Sequence, residues 1–168
     1  VSAKKLLEQA VPMEGPCYVR LGRAKVPVFY EDSDQLTLGR GNLVRDGKDV
    51  TIVATGIMVS EAMAAAEKLK EDGIDARIID IHTIKPIDEE ILIKAAQETG
   101  AIVTAEEHSI IGGLGSAVAE VIVKNCPVKM AMVGQKDTYG ESGKPDELKK
   151  KYGMTAEDIE AAVKNLIG

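Results

Sequence analysis

From Asp49 onward the chain alternates short, unbroken apolar runs with amphipathic stretches, and this alternation restricts the fold more than any other feature. DVTIVATG (49–56), ARIIDI (76–81), Ala101 to Val103 and PVKMAMV (127–133) are brief and almost continuously apolar, so each reads as a strand covered on both faces. The stretches between them carry the helical period. Ala62, Met63, Ala66 and Leu69 share one face of a helix over 60–72, and Gly73 supplies its stop. Asp88 is placed to cap a second helix running through Thr99, with Glu89 and Glu90 in the favourable first turn, Ile91, Leu92 and Ala95 facing in, and Gly100 at its end. Two more helices, over 145–151 and 155–167, close the chain, and Thr155 with Asp158 has the spacing of a capping box. Strands that follow one another through helices run parallel. The expected class is therefore α/β, a mostly parallel sheet between two helical layers.

The strand at Ala101 feeds the most distinctive stretch, TAEEHSIIGGLGSAVAE at 104–120. Leu114, Val118, Val121 and Ile122 recur at helical spacing, so Gly112, Gly113 and Gly115 sit at a strand-to-helix junction. Glycines there let two backbones, or a backbone and a ligand, come close, and leave helix N–H groups that suit an anion. A dinucleotide fingerprint needs Gly-x-Gly-x-x-Gly or Ala directly after the strand. Gly113 and Gly115 meet its first two positions, but the third falls on Val118, and residues 106–111 intervene. Close helix packing is the favoured reading, with an anion or effector loop built on His108, Gly112, Gly113 and Gly115 as the alternative. Glu106, Glu107 and His108 have the chemistry for acid–base work. Without a nucleophile or metal-ligand partner at a telling spacing, they read more simply as a hydrogen-bonded set that anchors the loop.

Composition narrows the partners. The 168 residues suffice for one domain with a short appendage, and a net charge of −6 argues against a nucleic-acid or anionic-membrane surface. No apolar run approaches the length of a membrane span, and a cytoplasmic location is expected. Cys17 and Cys126 lack CxxC spacing and read as reduced thiols. With Phe29 as the single phenylalanine and no tryptophan, a base-stacking surface is disfavoured, and the core falls to Ile, Val, Leu, Ala and Met.

The first thirty residues read differently from the rest. Ala3, Leu6, Leu7 and Ala10 line one side of a short helix, a turn follows over 12–16, and CYVRL at 17–21 resembles a strand. One helix and one strand cannot bury a core, so 1–30 is expected to be the tail of a preceding domain, and the chain, starting at Val1, reads as a piece of something longer. Residues 31–48, with Glu31, Asp32, Asp34, Gly39, Gly41 and Gly47, have linker composition, in which Leu36 and Leu38 could pair with Leu43 and Val44 as short strands. The compact domain is expected over 49–168.

GPCYVRLGR (15–23), DVTIVATG, EAMAAAEKLKEDGI (61–74), HTIKPID (82–88), the glycine stretch and SGKPDELKKKYGMTAEDI (142–159), in that order, resemble the C-terminal part of transketolases. The resemblance covers almost the whole chain. It implies a three-layer Rossmann-like domain with a mostly parallel five-stranded sheet, preceded by a helix–strand stub of the pyrimidine-binding domain. It implies an enzyme that uses thiamine diphosphate and magnesium to move a two-carbon ketol unit between sugar phosphates in the pentose phosphate pathway, and that works as a homodimer. In that family the diphosphate and metal ligands belong to an N-terminal region or subunit. No GDG…N motif occurs in these residues, so this chain alone is expected to bind neither group and to be inactive. The resemblance places one substrate contact here: Arg23 matches the arginine that binds the sugar phosphate, a task suited to the bidentate guanidinium fork. Two alternatives stand beside this reading. One is the C-terminal part of a 1-deoxyxylulose-5-phosphate synthase, which usually has a YPRG-like run where this chain has Leu21, Gly22 and Arg23. The other is a non-catalytic ligand-binding or assembly module.

Overall fold

The computed structural model describes residues 1–22 and 26–168. Along the chain run α1 (Ser2–Ala10), β1 (Asn42–Arg45), β2 (Val50–Ala54), α2 (Met58–Glu71), β3 (Ala76–Asp80), α3 (Glu89–Thr99), β4 (Ala101–Ser109), α4 (Leu114–Asn125), β5 (Lys129–Gln135), α5 (Pro145–Lys151) and α6 (Ala156–Ile167). The strands make one five-stranded sheet in the order β1-β3-β2-β4-β5. β2, β3, β4 and β5 pair in parallel, whereas β1 lies antiparallel on β3, with Asn42 opposite Asp80. This is the three-layer, mostly parallel α/β fold expected from the alternation.

Each face of the sheet has its own core because side chains alternate along a strand. Ile52, Ala54, Ile78 and Val103 face α2 and α6, where Ala62, Ala66, Leu69, Ile159 and Val163 are buried. Val53, Ile79 and Ile102 face α3 and α4 and meet Leu92, Leu114, Val118 and Ile122. Alanines on α2 bring that helix close to the sheet, leaving Met58 and Leu69, both fully buried, as its large apolar anchors. Burying a leucine of this kind contributes about 1.5–3 kcal/mol.

The helix ends follow their residues. The Asp88 carboxylate accepts from the N–H of Ile91 at 3.3 Å and from that of Gly41 at 2.9 Å, tying α3 to the approach of β1. Gly100 ends α3 in the left-handed region, φ 68°. Thr155 and Asp158 form the expected capping box of α6, the Thr155 N–H donating to Asp158 at 2.9 Å. The turn between β1 and β2 crosses β3 so closely that a Cβ on Gly47 would lie 2.5 Å from the backbone nitrogen of Arg77.

Three expectations for individual elements are corrected. CYVRL is not a strand: its residues are exposed, and none joins the sheet. Residues 36–38 do not pair with 43–44; β1 turns the other way and becomes the antiparallel edge of the main sheet, where β3 offers a longer and better buried partner. β4 does not end at Val103 but continues through Glu106 to Ser109, because β5 keeps pairing with it, with a register shift between Ala105 and Ser109. No helix among the described residues is long and apolar enough to cross a membrane.

Candidate functional site

In a sheet of this kind ligands gather outside the carboxyl ends of the strands, at the point where successive connections leave in opposite directions. Here that point lies between β2, whose chain continues to β3, and its other neighbour β4. Gly56, Glu106 and the glycine loop border it. Glu106 is only 2% exposed, and its two carboxylate oxygens accept from the backbone N–H groups of Leu114 and Gly115, both at 2.8 Å. The carboxylate stands at the start of α4 where an external anion would stand, and there it meets the positive end of the helix dipole.

The rest of the loop is likewise bonded internally. The N–H of Ile111 donates to Ser109 Oγ at 3.1 Å, and that of Gly112 to Ser116 Oγ at 2.9 Å. Close approach explains two of the glycines. A Cβ on Gly113 would lie 2.8 Å from both the Glu106 carboxyl carbon and the Ser109 carbonyl, and one on Gly115 would lie 2.8 Å from Met132 Sδ and 2.9 Å from Thr104 Oγ1. Gly112 differs, with φ 75° and open space around it. His108 is exposed, its Nδ1 3.3 Å from the Ser109 carbonyl. Arg20 reaches this edge, donating from Nη2 to the carbonyl of Glu107 at 3.2 Å.

These residues do not fit a diphosphate. The N–H groups that would hold it are bonded to Glu106, and the buried carboxylate would repel it. Among the described residues there is also no group of three or more His, Cys, Asp or Glu side chains placed to hold a metal ion. Arg23 lies outside the described residues.

A second polar centre, absent from the sequence reading, sits at the end of β3. Asp80 is 4% exposed; its Oδ2 accepts from the Tyr30 hydroxyl at 2.9 Å, and its Oδ1 has no partner among the described residues. Burial pushes the Asp80 carboxyl up to about 6, with the Tyr30 bond opposing the rise. Tyr30 is pushed above its usual value, first by burial and then by the Asp80 charge. Nearby, the His82 ring spans Thr83 Oγ1 at 2.8 Å and Asn42 Oδ1 at 3.2 Å, and burial holds its basicity down. The signal in the sequence was an acid at an inward position of the apolar run ARIIDI.

The model of the transketolase C-terminal domain family matches residues 39–159. A transketolase subunit from Clostridium sp. (strain MSTE9), named for 6-deoxy-6-sulfo-D-fructose, is 50% identical over 90% of this chain and 47% of its own length. A putative transketolase C-terminal section from Methanocaldococcus jannaschii is 47% identical over 93% of this chain and 49% of its own. A solved structure described as a split-gene transketolase, inactive beta4 tetramer, superposes with a TM-score of 0.92 at 50% identity, covering 96% of this chain and 53% of that one. The chain belongs to the transketolase C-terminal domain family. It spans about half the length of these relatives.

Proposed function

We propose that this chain is the C-terminal portion of a transketolase, a cytoplasmic transferase of two-carbon ketol units between sugar phosphates in the pentose phosphate pathway. Residues 1–30 are the tail of its pyrimidine-binding domain, and the domain that follows supports a homodimer. An N-terminal region or subunit supplies the sites for thiamine diphosphate and magnesium, and Arg23 neutralises the substrate phosphate. The observation that carries this reading is the extent of the likeness. Half of a split-gene transketolase chain matches this one at 50% identity along almost its full length. The internally bonded glycine loop supports the division of labour, since it leaves the cofactor to be held elsewhere.

Reconstitution tests this. The chain is mixed with the N-terminal transketolase region from the same genome, thiamine diphosphate and magnesium, and ketol transfer is followed with a phosphorylated donor and acceptor. Activity that appears only on mixing supports the proposal. Activity of this chain alone, or a folded, stable complex without transfer, overturns it.

A further inference from the structure

Tyr30 stands at the head of a hydrogen-bonded path that fastens the N-terminal helix to the sheet. Lys5 Nζ donates to the Asp34 carbonyl at 2.7 Å. Gln9 donates to the Leu36 carbonyl at 2.7 Å and accepts from the Leu38 N–H at 3.1 Å. These bonds hold α1 on residues 34–38. That segment is held in turn by Asn42 of β1, which donates to the Gln35 carbonyl at 3.0 Å, and at its start by the Tyr30 bond to Asp80.

The Asp80 end of this path is poorly solvated. Among the described residues, Oδ1 is buried without a partner and Tyr30 is the one polar group bonded to the carboxyl. Among the described residues, the titratable groups near it are Tyr30, then Asp34, whose charge acts on Tyr30, and His82, whose basicity burial holds down. No cationic side chain among the described residues is bonded to the carboxyl.

We propose that Tyr30 and Asp80 form a proton-operated latch, which holds the connecting segment and α1 on the sheet while Asp80 is protonated and loosens when Asp80 ionises. An ionised carboxylate with one oxygen dry is costly, and lifting Tyr30 away lets water reach it. Burial has moved the carboxyl from 3.8 to about 6, and opening restores the ordinary value. By linkage the closed form then binds the proton more tightly than the open one. The opening constant therefore rises about 30-fold from pH 4 to pH 6 and about twofold more above that before it levels.

Hydrogen exchange on the full chain, corrected for the intrinsic pH dependence of exchange, reads this at the amides of Asp34 and Leu38, with Ile52 and Val103 as core references. The expected result is loss of protection at Asp34 and Leu38 between pH 4 and 6, at a lower free energy of opening than at the references, and a much smaller loss at Asp34 and Leu38 in Asp80→Asn. Protection that is flat with pH in the unaltered chain, or a loss that is undiminished in Asp80→Asn, overturns the latch. A carbon-13 titration of the Asp80 carboxyl in the unaltered chain decides independently should the variant not fold. A midpoint near 6 supports the latch, and one at the ordinary aspartate value overturns it.

Discussion

The carboxylate of Glu106 and the missing side chain of Gly113 compete for one space: a Cβ at residue 113 would lie 2.8 Å from the Glu106 carboxyl carbon. Glu106 is itself pinned by the N–H groups of Leu114 and Gly115, so it cannot swing aside without breaking the cap of α4. Gly113→Ala should therefore cost about 1–3 kcal/mol of stability, as overpacking in a rigid place does. Gly112→Ala meets open space and should cost only the left-handed backbone strain, about 1 kcal/mol. Urea titration of the two variants checks the ranking, and an equal or reversed order would show that the loop is not held by this contact.

Removing the carboxylate tests the same junction from the other side. Glu106→Ala leaves two buried N–H groups without partners and should destabilise by about 3 kcal/mol. Glu106→Gln keeps one acceptor oxygen and should lose about half as much. Thermal or chemical denaturation reads both, and a Glu106→Ala variant as stable as the parent would mean that water replaces the carboxylate at no cost.

Stability should also vary with pH through Asp80. Its folded value lies above the unfolded one, so the folded chain binds the extra proton. The contribution is fully present below pH 3.8, falls as pH rises, and is gone above about 6. The amplitude is about 3 kcal/mol. Comparing Asp80→Asn with the parent in urea at pH 4, 5, 6 and 7 isolates this slope from that of the other carboxylates.

In the assembled enzyme, Arg23→Ala should raise KM for phosphorylated donors and acceptors, the loss of a charged hydrogen-bonding partner costing about 2–5 kcal/mol. An unphosphorylated donor such as hydroxypyruvate should be nearly unaffected. Equal losses on both kinds of substrate would point to a structural role.

The chain alone should give no magnesium-dependent heat on titration with thiamine diphosphate. Isothermal calorimetry checks this, and saturable, magnesium-dependent binding would show that a diphosphate site exists outside the glycine loop.

Residues that act through local rules were legible in the sequence. Val50–Ala54 declares a buried parallel strand by being apolar throughout, and Asp88 and Thr155 declare helix starts because capping is decided within a few residues. Features set by distant pairing were not. NLVR is four residues among glycines, and only the register with β3 makes it a strand. CYVRL has a strand's composition but pairs with no strand among the described residues. The polar residues 106–109 extend β4 because β5 lies beside them, which their own side chains do not announce. The buried Glu106 is legible in the sequence as a loop anchor, whereas Asp80 is notable only through Tyr30, distant in sequence, which bonds to it.

The tight crossing at Gly47 has a practical meaning for anyone rebuilding this molecule. Since no side chain fits between that turn and the start of β3, residues 46–48 cannot serve as a point for inserting a reporter, a tag or new chain ends. The exposed, element-free stretch around Glu141 and Ser142 can. A circularly permuted or surface-tethered form would therefore be opened there, leaving β1 and β2 joined as one unit.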